Sequence, residues 1–422
     1  MTHDFIHIGD LHLDERSPRN ADRLQALDQI VAECLDREAL AAWLIPGDLF
    51  HARSSAGDRN ALDVRLMKMA DRAPVVIVYG NHDAPGDLDG FANLRAGYPI
   101  FVIDRPHVLS VRLATGAMAS IACLPYPRRG GLIAAGTTAA DTFDAGREAL
   151  AAIVRGLALE LHEAQARGDI TLSVGHLNVG GAIASTGQPQ IGREVELDSA
   201  SVDVLAPFGY IGLNHVHKHQ VVHGAVYAGS VCRLDFAELE PKGFIEVEYC
   251  QRPTGEWTHA WIFRKLDVPA MLHIDGDLTR EGFRWTTGFL GQPLPEGGYF
   301  GFVPTGYPPG EYVPMAYAFD GADVRVKFTY LPAEKDALNF DLVTTPFAGA
   351  RTLKLVPVPI LDQAIRAPAV IAATTVAEQV RAYCAEQGIA VTDGLLAKLD
   401  TLQAPEAEDA ALTRALPLEV AL

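Results

Sequence analysis

The chain has few cysteines and little positive charge for its length. Its 422 residues include only five cysteines and no CxxC pair, which excludes a disulfide framework and a zinc ribbon and fits a reducing, cytoplasmic compartment. Lys and Arg number 35 against 53 Asp and Glu, a net charge of -18 that argues against nonspecific attraction of the whole surface to nucleic acid or membrane. The amino terminus lacks the pattern of a signal peptide, and no apolar run is long enough to cross a bilayer.

Short apolar runs alternate with helical patterns in the first part of the chain. The runs "DFIHIG", "AAWLIPGD" and "PVVIVYGNHD" predict strands, and apolar spacing predicts helices over 20–39, 60–71 and 142–167. This alternation predicts an α/β sheet covered by helices. Near residue 265 the helical periods end, so we expect a domain over 1–265, a smaller strand-rich domain over 266–357 and a helical segment over 358–422.

Polar side chains follow the predicted strands at several places. They are Asp10 and His12, Asp48 and His51, Asn81, His82 and Asp83, then His176, and finally His215 and His217. Taken singly, each is an ordinary turn or core residue. The carboxyl ends of strands in an α/β sheet line one edge, where ligands bind, so together they predict a site.

The predicted donor set combines carboxylate, amide and imidazole groups. It suits a pair of divalent ions such as manganese, iron or zinc, and it contains too much oxygen for a structural zinc site. Two ions about 3.5–4 Å apart activate a water and stabilise charge on a phosphoryl group. Asp48, in the middle of the order, is the candidate bridge between them. Bound cations would allow an acidic protein to attack a polyanion.

The order D-x-H, GD, GNHD, GH, H-x-H resembles the calcineurin-type metallophosphoesterase superfamily. The runs "GDLHLD", "GDLFHARSS", "YGNHD" and "YAGSVCRLDFAE…KGF" resemble the SbcD-type nucleases of double-strand-break repair. The resemblance covers roughly Phe5 to Phe244. It implies a four-layer β-sandwich flanked by helices, with a strand-rich cap domain and a helical C-terminal tail.

The resemblance also implies a role for each matching residue. Asp10, His12 and His217 would bind one ion, and Asn81, His176 and His215 the other, with Asp48 between them; we expect Mn²⁺. His82 would act on the scissile phosphate or the leaving oxygen, and Asp83 would orient it. His51 would help to seat the DNA strand, or would only be a polar residue at a helix start. The family usually has Gly where this chain has Asn214, which we expect to tolerate the left-handed turn.

The function that the resemblance implies is a metal-dependent DNA nuclease of repair or recombination. It would act as a 3′-5′ exonuclease on duplex ends and as an endonuclease on single strands or hairpins. Its implied partners are DNA, a second copy of the chain and an SMC-like coiled-coil ATPase docked on the C-terminal helices. The alternative is a small-nucleotide phosphodiesterase or a phosphoprotein phosphatase on the same metal site.

Each of three further features has two possible interpretations. Arg128 and Arg129 could contact a phosphate backbone, or lie in a solvated loop. Seven aromatic residues could stack on bases or form the core of the second domain. They are Trp285, Phe289, Tyr299, Phe300, Phe302, Tyr307 and Tyr312. His219 has no counterpart in the motif, so we expect it to be a neighbour of the site or solvated.

Overall fold

The computed structural model describes residues 2–128, 139–185, 187–188, 194–236, 238, 240–280, 282–285, 319, 321–360, 369–370, 373–392 and 394. The chain divides into two compact units, one of Met1–Tyr330 with Asp336–Val358, the other of Leu331–Lys335 with Pro359–Leu422. The helices of the first unit are α1 Asn20–Cys34, α2 Ala56–Ala70, α3 Ala139–Ala166, α4 Ser199–Leu205 and α5 Asp341–Thr344.

The first sheet has six strands in the order β12-β11-β1-β2-β3-β4. Their bounds are β1 Thr2–His7, β2 Leu40–Pro46, β3 Val75–Val78, β4 Ile100–Ile103, β11 Gly243–Gln251 and β12 Trp257–Lys265. The four strands from β1 to β4 are parallel, and β11 and β12 extend the sheet antiparallel. The carboxyl ends of β1, β2 and β3 therefore lie at one edge.

The second sheet also has six strands, in the order β5-β6-β7-β8-β10-β9. Their bounds are β5 His107–Arg112, β6 Met118–Leu124, β7 Ile170–His176, β8 Ile211–Asn214, β9 Gln220–Val222 and β10 Ala225–Tyr227. Strands β6, β7, β8 and β10 are parallel. The mixed α/β class predicted from the sequence is confirmed.

Three clusters of buried apolar side chains hold these elements together. One joins residues of α1 and α2, such as Leu27 and Leu66, to one face of the first sheet. The second cluster contains residues of both sheets, for example Leu44 of β2 and Leu172 of β7. The last joins the second sheet to α3 and α4, for example through Leu161. Burial on both faces explains why β2 and β3 are almost wholly apolar, although the equally buried β1 also contains His3, Asp4 and His7.

A third sheet of four strands, in the order β14-β13-β15-β16, belongs to the same unit. Its strands are β13 Met271–Thr279, β14 Gly282–Trp285, β15 Asp323–Tyr330 and β16 Thr352–Pro359. Arg351 ties this sheet to α1: its guanidinium donates two bonds to Asp22, at 2.6 and 2.7 Å, and another to Asp323 at 3.2 Å. Arg19 adds an ion pair with Asp323 at 2.6 Å.

The second unit contains α6, Val376–Glu386, whose first turn is capped by Thr375. The Thr375 side chain accepts a bond from the Glu378 amide while the Glu378 carboxylate bonds back, a capping box. The segment 286–318 with most of the aromatic residues, and the predicted helix around Leu395 to Leu402, lie outside the described residues. No helix in the described part of the chain is long and apolar enough to span a membrane. The division into three domains stays a prediction.

Candidate metal centre

The loops that follow β1 and β2 bind each other at the carboxyl edge of the first sheet. The amide groups of Leu11 and His12 donate to the carbonyl oxygen of Asp48, at 3.0 and 2.9 Å. His12 and Asp48 both have left-handed backbones, with φ of 48° and 52°, a conformation that is unusual for residues other than glycine. As a result the His12 imidazole lies 3.6 Å from the Asp48 carboxylate.

Two glycines allow the loops to approach this closely. A Cβ on Gly80 would lie 2.1 Å from Oδ1 of Asp48, so no larger residue fits between β3 and that carboxylate. A Cβ on Gly9 would lie 1.6 Å from the carbonyl oxygen of Gly229. The loop after β1 therefore packs directly on the "YAGS" segment. These contacts explain why glycine is required directly before Asp10 and directly before Asn81.

The first group of candidate ligands contains Asp10, His12, Asp48 and His217. Nε2 of His12 lies 3.1 Å from Nε2 of His217. Donor atoms of Asp10, His12 and Asp48 all lie within 4.8 Å of one another, and the three residues are buried. The structure thus brings together side chains that the chain separates by about two hundred residues.

The second group contains Asp48, Asn81, His176 and His215. Oδ1 of Asn81 lies 2.9 Å from Nε2 of His176 and 2.9 Å from Nδ1 of His215. Oδ2 of Asp48 lies 3.3 Å from Nε2 of His176. The same Asp48 oxygen is the one that faces His12. Asp48 therefore stands between the two groups, as expected of a bridging carboxylate.

The donor set fits a pair of cations. Among the described residues, Oδ2 of Asp10 is buried without a hydrogen-bond partner, and a buried carboxylate oxygen needs a proton donor or a cation. Two imidazole nitrogens that bind one ion at about 2.0–2.1 Å lie roughly 2.9–3.4 Å apart for octahedral to tetrahedral angles. The 3.1 Å between His12 and His217 falls in that range. The assignment of each ligand to one ion stays a prediction.

The electrostatics of the buried groups centre on Asp48. Burial raises the pKa of Asp48, but the His176 and His12 imidazoles outweigh burial and hold that pKa below its ordinary value. Burial lowers the pKa of His176, yet the charge of Asp48, its hydrogen bond and Asp10 raise it overall to about 9. Burial keeps the pKa of His12 well below its ordinary value. Asp48 is thus a carboxylate and His12 a neutral imidazole, the forms that bind cations, whereas His176 would have to release its proton to a bound cation.

His82 and His51 lie beside the first group. Nδ1 of His82 donates to the carbonyl oxygen of His51 at 2.6 Å, which leaves Nε2 for another partner. The two rings stack, with centroids 5.4 Å apart and planes at 20°. The His82 ring lies 4.9 Å from that of His12. The helix-start interpretation of His51 is wrong, because α2 begins at Ala56 and has another residue as its cap.

Asp83 is fully buried and bonded to the backbone. Its carboxylate accepts hydrogen bonds from the amides of Asp48, Leu49, Phe50 and Gly80, at 2.9, 3.0, 3.2 and 2.9 Å. Burial and the Asp48 charge raise its pKa to about 7, while the four N–H donors favour the ionised form. The structure shows no bond from Asp83 to the neighbouring imidazole that we expected it to orient. Asp83 instead holds the loop that carries Asp48, through the backbone hydrogen bonds that its carboxylate accepts.

Two carboxylates contact the outer ring nitrogens of His215 and His217. Neither of them was predicted from the sequence. Oε1 of Glu238 lies 3.1 Å from Nδ1 of His217, and Oε2 of Glu194 lies 2.8 Å from Nε2 of His215. Glu238 belongs to the "LDFAE…KGF" run, which carries the family resemblance but indicates no role for this residue. Glu194 lies between β7 and α4, where the sequence gives no comparable signal.

The expectation for Asn214 requires correction, and the residues left open by the sequence lie as follows. Asn214 ends β8, and the positive φ of 99° is at His215 instead; Asn214 is buried and bonds the ring of His7 at 2.9 Å. Arg128 donates to the carbonyl oxygens of the loop after β3, so it supports that loop. His219 is half-buried and stacks on Phe263 at 4.2 Å. Arg129 lies outside the described residues.

Comparison with known proteins agrees with this arrangement. The calcineurin-like phosphoesterase family matches residues 3–205. The SbcD subunit of the SbcCD nuclease of Bacillus subtilis (strain 168) is 25% identical over 253 residues, which cover 56% of this chain and 63% of that protein. Its counterpart in Escherichia coli (strain K12) is 25% identical over 262 residues, 58% of this chain and 64% of that protein. The chain thus spans less than two thirds of the length of these relatives.

A crystal structure of Chaetomium thermophilum Vps29 aligns with 63% of this chain and 100% of its own at 11% identity, but with a TM-score of only 0.24. The family match and the His/Asp cluster are the stronger observations, because the match includes the loops after β1, β2, β3 and β7, although it ends before His215 and His217. They imply a hydrolase that binds divalent metal ions. Residues 3–205 thus match the calcineurin-like phosphoesterase family, and the chain is similar to the SbcD subunits of the SbcCD nucleases.

Proposed function

We propose that this protein is a dinuclear metal-dependent DNA nuclease, with exonuclease activity on duplex ends and endonuclease activity on single strands or hairpins. The observation that carries the proposal is the pair of donor groups that share Asp48. The kinship with the SbcD subunits of the SbcCD nucleases supports a nucleic-acid substrate. Two bound divalent ions, for which we expect Mn²⁺, supply Lewis-acid polarisation of a phosphoryl oxygen and of a water molecule.

His82 is the residue of this chain best placed to move a proton. Its Nδ1–H is fixed on the carbonyl oxygen of His51, so Nε2 of His82 is the nitrogen free to meet a substrate. An imidazole in this position donates a proton to a leaving oxygen or bonds the phosphate. The His51 ring stacks against the His82 ring and so restricts the rotation of His82. His51 also presents a second imidazole to a bound strand.

A cleavage assay tests both the substrate class and the role of His82. The substrates are end-labelled duplex DNA, single-stranded DNA circles and a mononucleotide ester, each with Mn²⁺, Mg²⁺ or chelator. The variant is His82→Gln, and the matched control is His107→Gln. His107 is also half-buried, and its Nδ1 bonds the carbonyl oxygen of Arg105 at 3.1 Å, but it lies on β5.

We expect Mn²⁺-dependent cleavage of both DNA substrates. His82→Gln should lower turnover by roughly 10²–10⁴-fold, as loss of a general acid does, with unchanged metal content, while His107→Gln keeps full activity. Turnover of the mononucleotide ester without cleavage of DNA would instead favour the alternative, a small-nucleotide phosphodiesterase or a phosphatase. Full activity of His82→Gln would remove that residue from the mechanism.

The partners belong to the same proposal. We infer an SMC-like ATPase docked on the carboxyl-terminal segment, and a homodimer. Three apolar side chains of this segment are about half exposed, with fractions of 45% for Val376, 53% for Tyr383 and 51% for Ile389. Light scattering on the purified protein measures the mass of the assembly. Co-purification with the ATPase should fail when Val376 and Tyr383 are changed to Ser.

A further inference from the structure

One aromatic side chain beside the candidate metal centre has no part in the mechanism proposed above. Tyr126 lies two residues after the end of β6. Its ring centroid is 5.6 Å from that of His215 and 6.2 Å from that of His176. Both histidines belong to the second group of candidate ligands and are buried, whereas Tyr126 is half-buried. The Tyr126 ring therefore lies at the rim of the site, where a substrate would meet the second group.

The backbone around Tyr126 fixes the position of its ring. Tyr126 lies between two prolines in "LPYPRR", and a residue before proline is restricted to extended backbone. Its amide donates to the carbonyl oxygen of Tyr79 at 3.0 Å. Two residues later, Arg128 donates to the carbonyl oxygens of Gly80 and Asp83. The segment is thus held on the loop after β3, so a ligand that binds the ring has little backbone motion to restrict.

The charges of the chain favour stacking, rather than ion pairing, as the way in which this rim holds a nucleotide. The net charge is -18, and the guanidinium of Arg128 already donates to backbone carbonyl oxygens. Stacking of a base on an aromatic ring needs no positive charge, and it accepts every base because each base has a π face. A paired base inside a duplex has both faces covered by its neighbours. The fitting ligand is therefore an unpaired nucleotide.

We propose that Tyr126 binds an unpaired nucleotide of the substrate, whose base stacks on the phenol ring while its phosphate lies at the metal centre. The inference rests on the proposed nuclease function and specifies its substrate, a single strand or a duplex end with unpaired terminal bases. His82 and His51 lie beside the first group of candidate ligands, and Tyr126 lies beside the second. A strand that crosses both groups therefore meets a ring at each of them.

Fluorescence anisotropy of a labelled single strand tests the stacking. The probes are oligothymidylate and an abasic strand of the same length and charge, in chelator and low salt, so that neither metal nor cleavage contributes to the affinity. The variants are Tyr126→Leu, which removes the ring, and Tyr126→Phe, which removes only the hydroxyl. The matched control is Tyr98→Leu. Tyr98 is also half-buried and precedes a proline, but it lies before β4, at the opposite edge of the first sheet.

The expected result is a preference for bases that depends on the Tyr126 ring. Wild-type protein should bind oligothymidylate about 5-fold or more tightly than the abasic strand, as one stacked base contributes. Tyr126→Leu should bind both strands equally, whereas Tyr126→Phe and Tyr98→Leu should keep the preference. A purely structural role of Tyr126 would weaken the binding of both strands alike. The inference is overturned if wild-type protein shows no preference, if Tyr126→Leu keeps it, or if Tyr126→Phe loses it.

Cleavage kinetics in Mn²⁺ separate this inference from the proposed function. Tyr126→Leu should raise KM for single-stranded DNA about 5-fold or more with kcat unchanged, as loss of a contact made equally in the ground state and the transition state does. If Tyr126→Leu loses the preference for bases but wild-type protein cleaves no DNA, the nuclease proposal fails while this inference stands. If wild-type protein cleaves DNA but Tyr126→Leu keeps its binding preference and its KM, this inference fails while the nuclease proposal stands.

Discussion

Asn in place of Asp83 should destabilise the protein strongly, although the two side chains have the same size. Each oxygen of the carboxylate accepts two backbone N–H bonds. The amide group of Asn would point N–H at two of these donors, so at least two bonds are lost. Because the pKa of Asp83 is raised, the loss is best counted from the two buried N–H donors left without an acceptor, at roughly 1–3 kcal/mol each. We therefore expect the free energy of unfolding to fall by about 2–6 kcal/mol.

The assay is thermal unfolding of metal-free protein, followed by calorimetry and circular dichroism. A loss of about 3 kcal/mol corresponds to a midpoint lower by about 6 °C or more in a domain of this size. The control is Asp87→Asn, because Asp87 accepts one amide bond, from Ser54 at 2.7 Å, which Asn can also accept. If Asp83→Asn shifts the midpoint no more than Asp87→Asn does, the backbone role of Asp83 is refuted.

Three further substitutions test other contacts. Gly9→Ala should unfold the protein or destabilise it by more than about 3 kcal/mol, because its Cβ would lie 1.6 Å from a carbonyl oxygen. The control is Gly90→Ala, whose Cβ would have nothing within 4 Å and which should leave the stability unchanged. Urea titration measures both variants. Asn214→Gly should lower stability by about 2–4 kcal/mol in the same titration, since Nε2 of the buried His7 ring and the carbonyl oxygen of Ile8 both lose their bond to this side chain; an unchanged midpoint contradicts this. Arg351→Lys cannot hold two carboxylates, so hydrogen exchange should quicken in β15 and β16 but not in β1.

The fold was predictable to the extent that burial determines the sequence pattern. Strands β2 and β3 are buried on both faces, which leaves continuous apolar runs between turn residues, whereas the equally buried β1 has only Phe5 and Ile6 as its apolar pair. Helix α2 begins four residues earlier than its apolar spacing indicated. Its first turn is polar and is held by the capping box of Ser55 and Asp58. The long helix Ala139–Ala166 begins three residues before its predicted start.

The candidate site was predictable because its residues end buried strands. Their convergence follows from the parallel order of β1, β2 and β3, which the alternation of strands and helices predicts. The supporting residues were not predictable. Glu194 and Glu238 reach the site from loops, and only the three-dimensional path of those loops brings them there. The same holds for the Asn214 bond to His7, which joins the two large sheets.

His215 and His217 lie in different groups of candidate ligands because the chain turns between them. Alternate residues of an extended chain point to one side, so without a turn both rings would face the same way. The strand ends at Asn214, however, and the φ of 99° at His215 turns the chain before the second histidine. An extended chain would deliver both rings to one ion with the same nitrogen inward. The turn separates them, so that one ring reaches Asn81 and the other His12. A single short loop thereby contributes to both groups of candidate ligands.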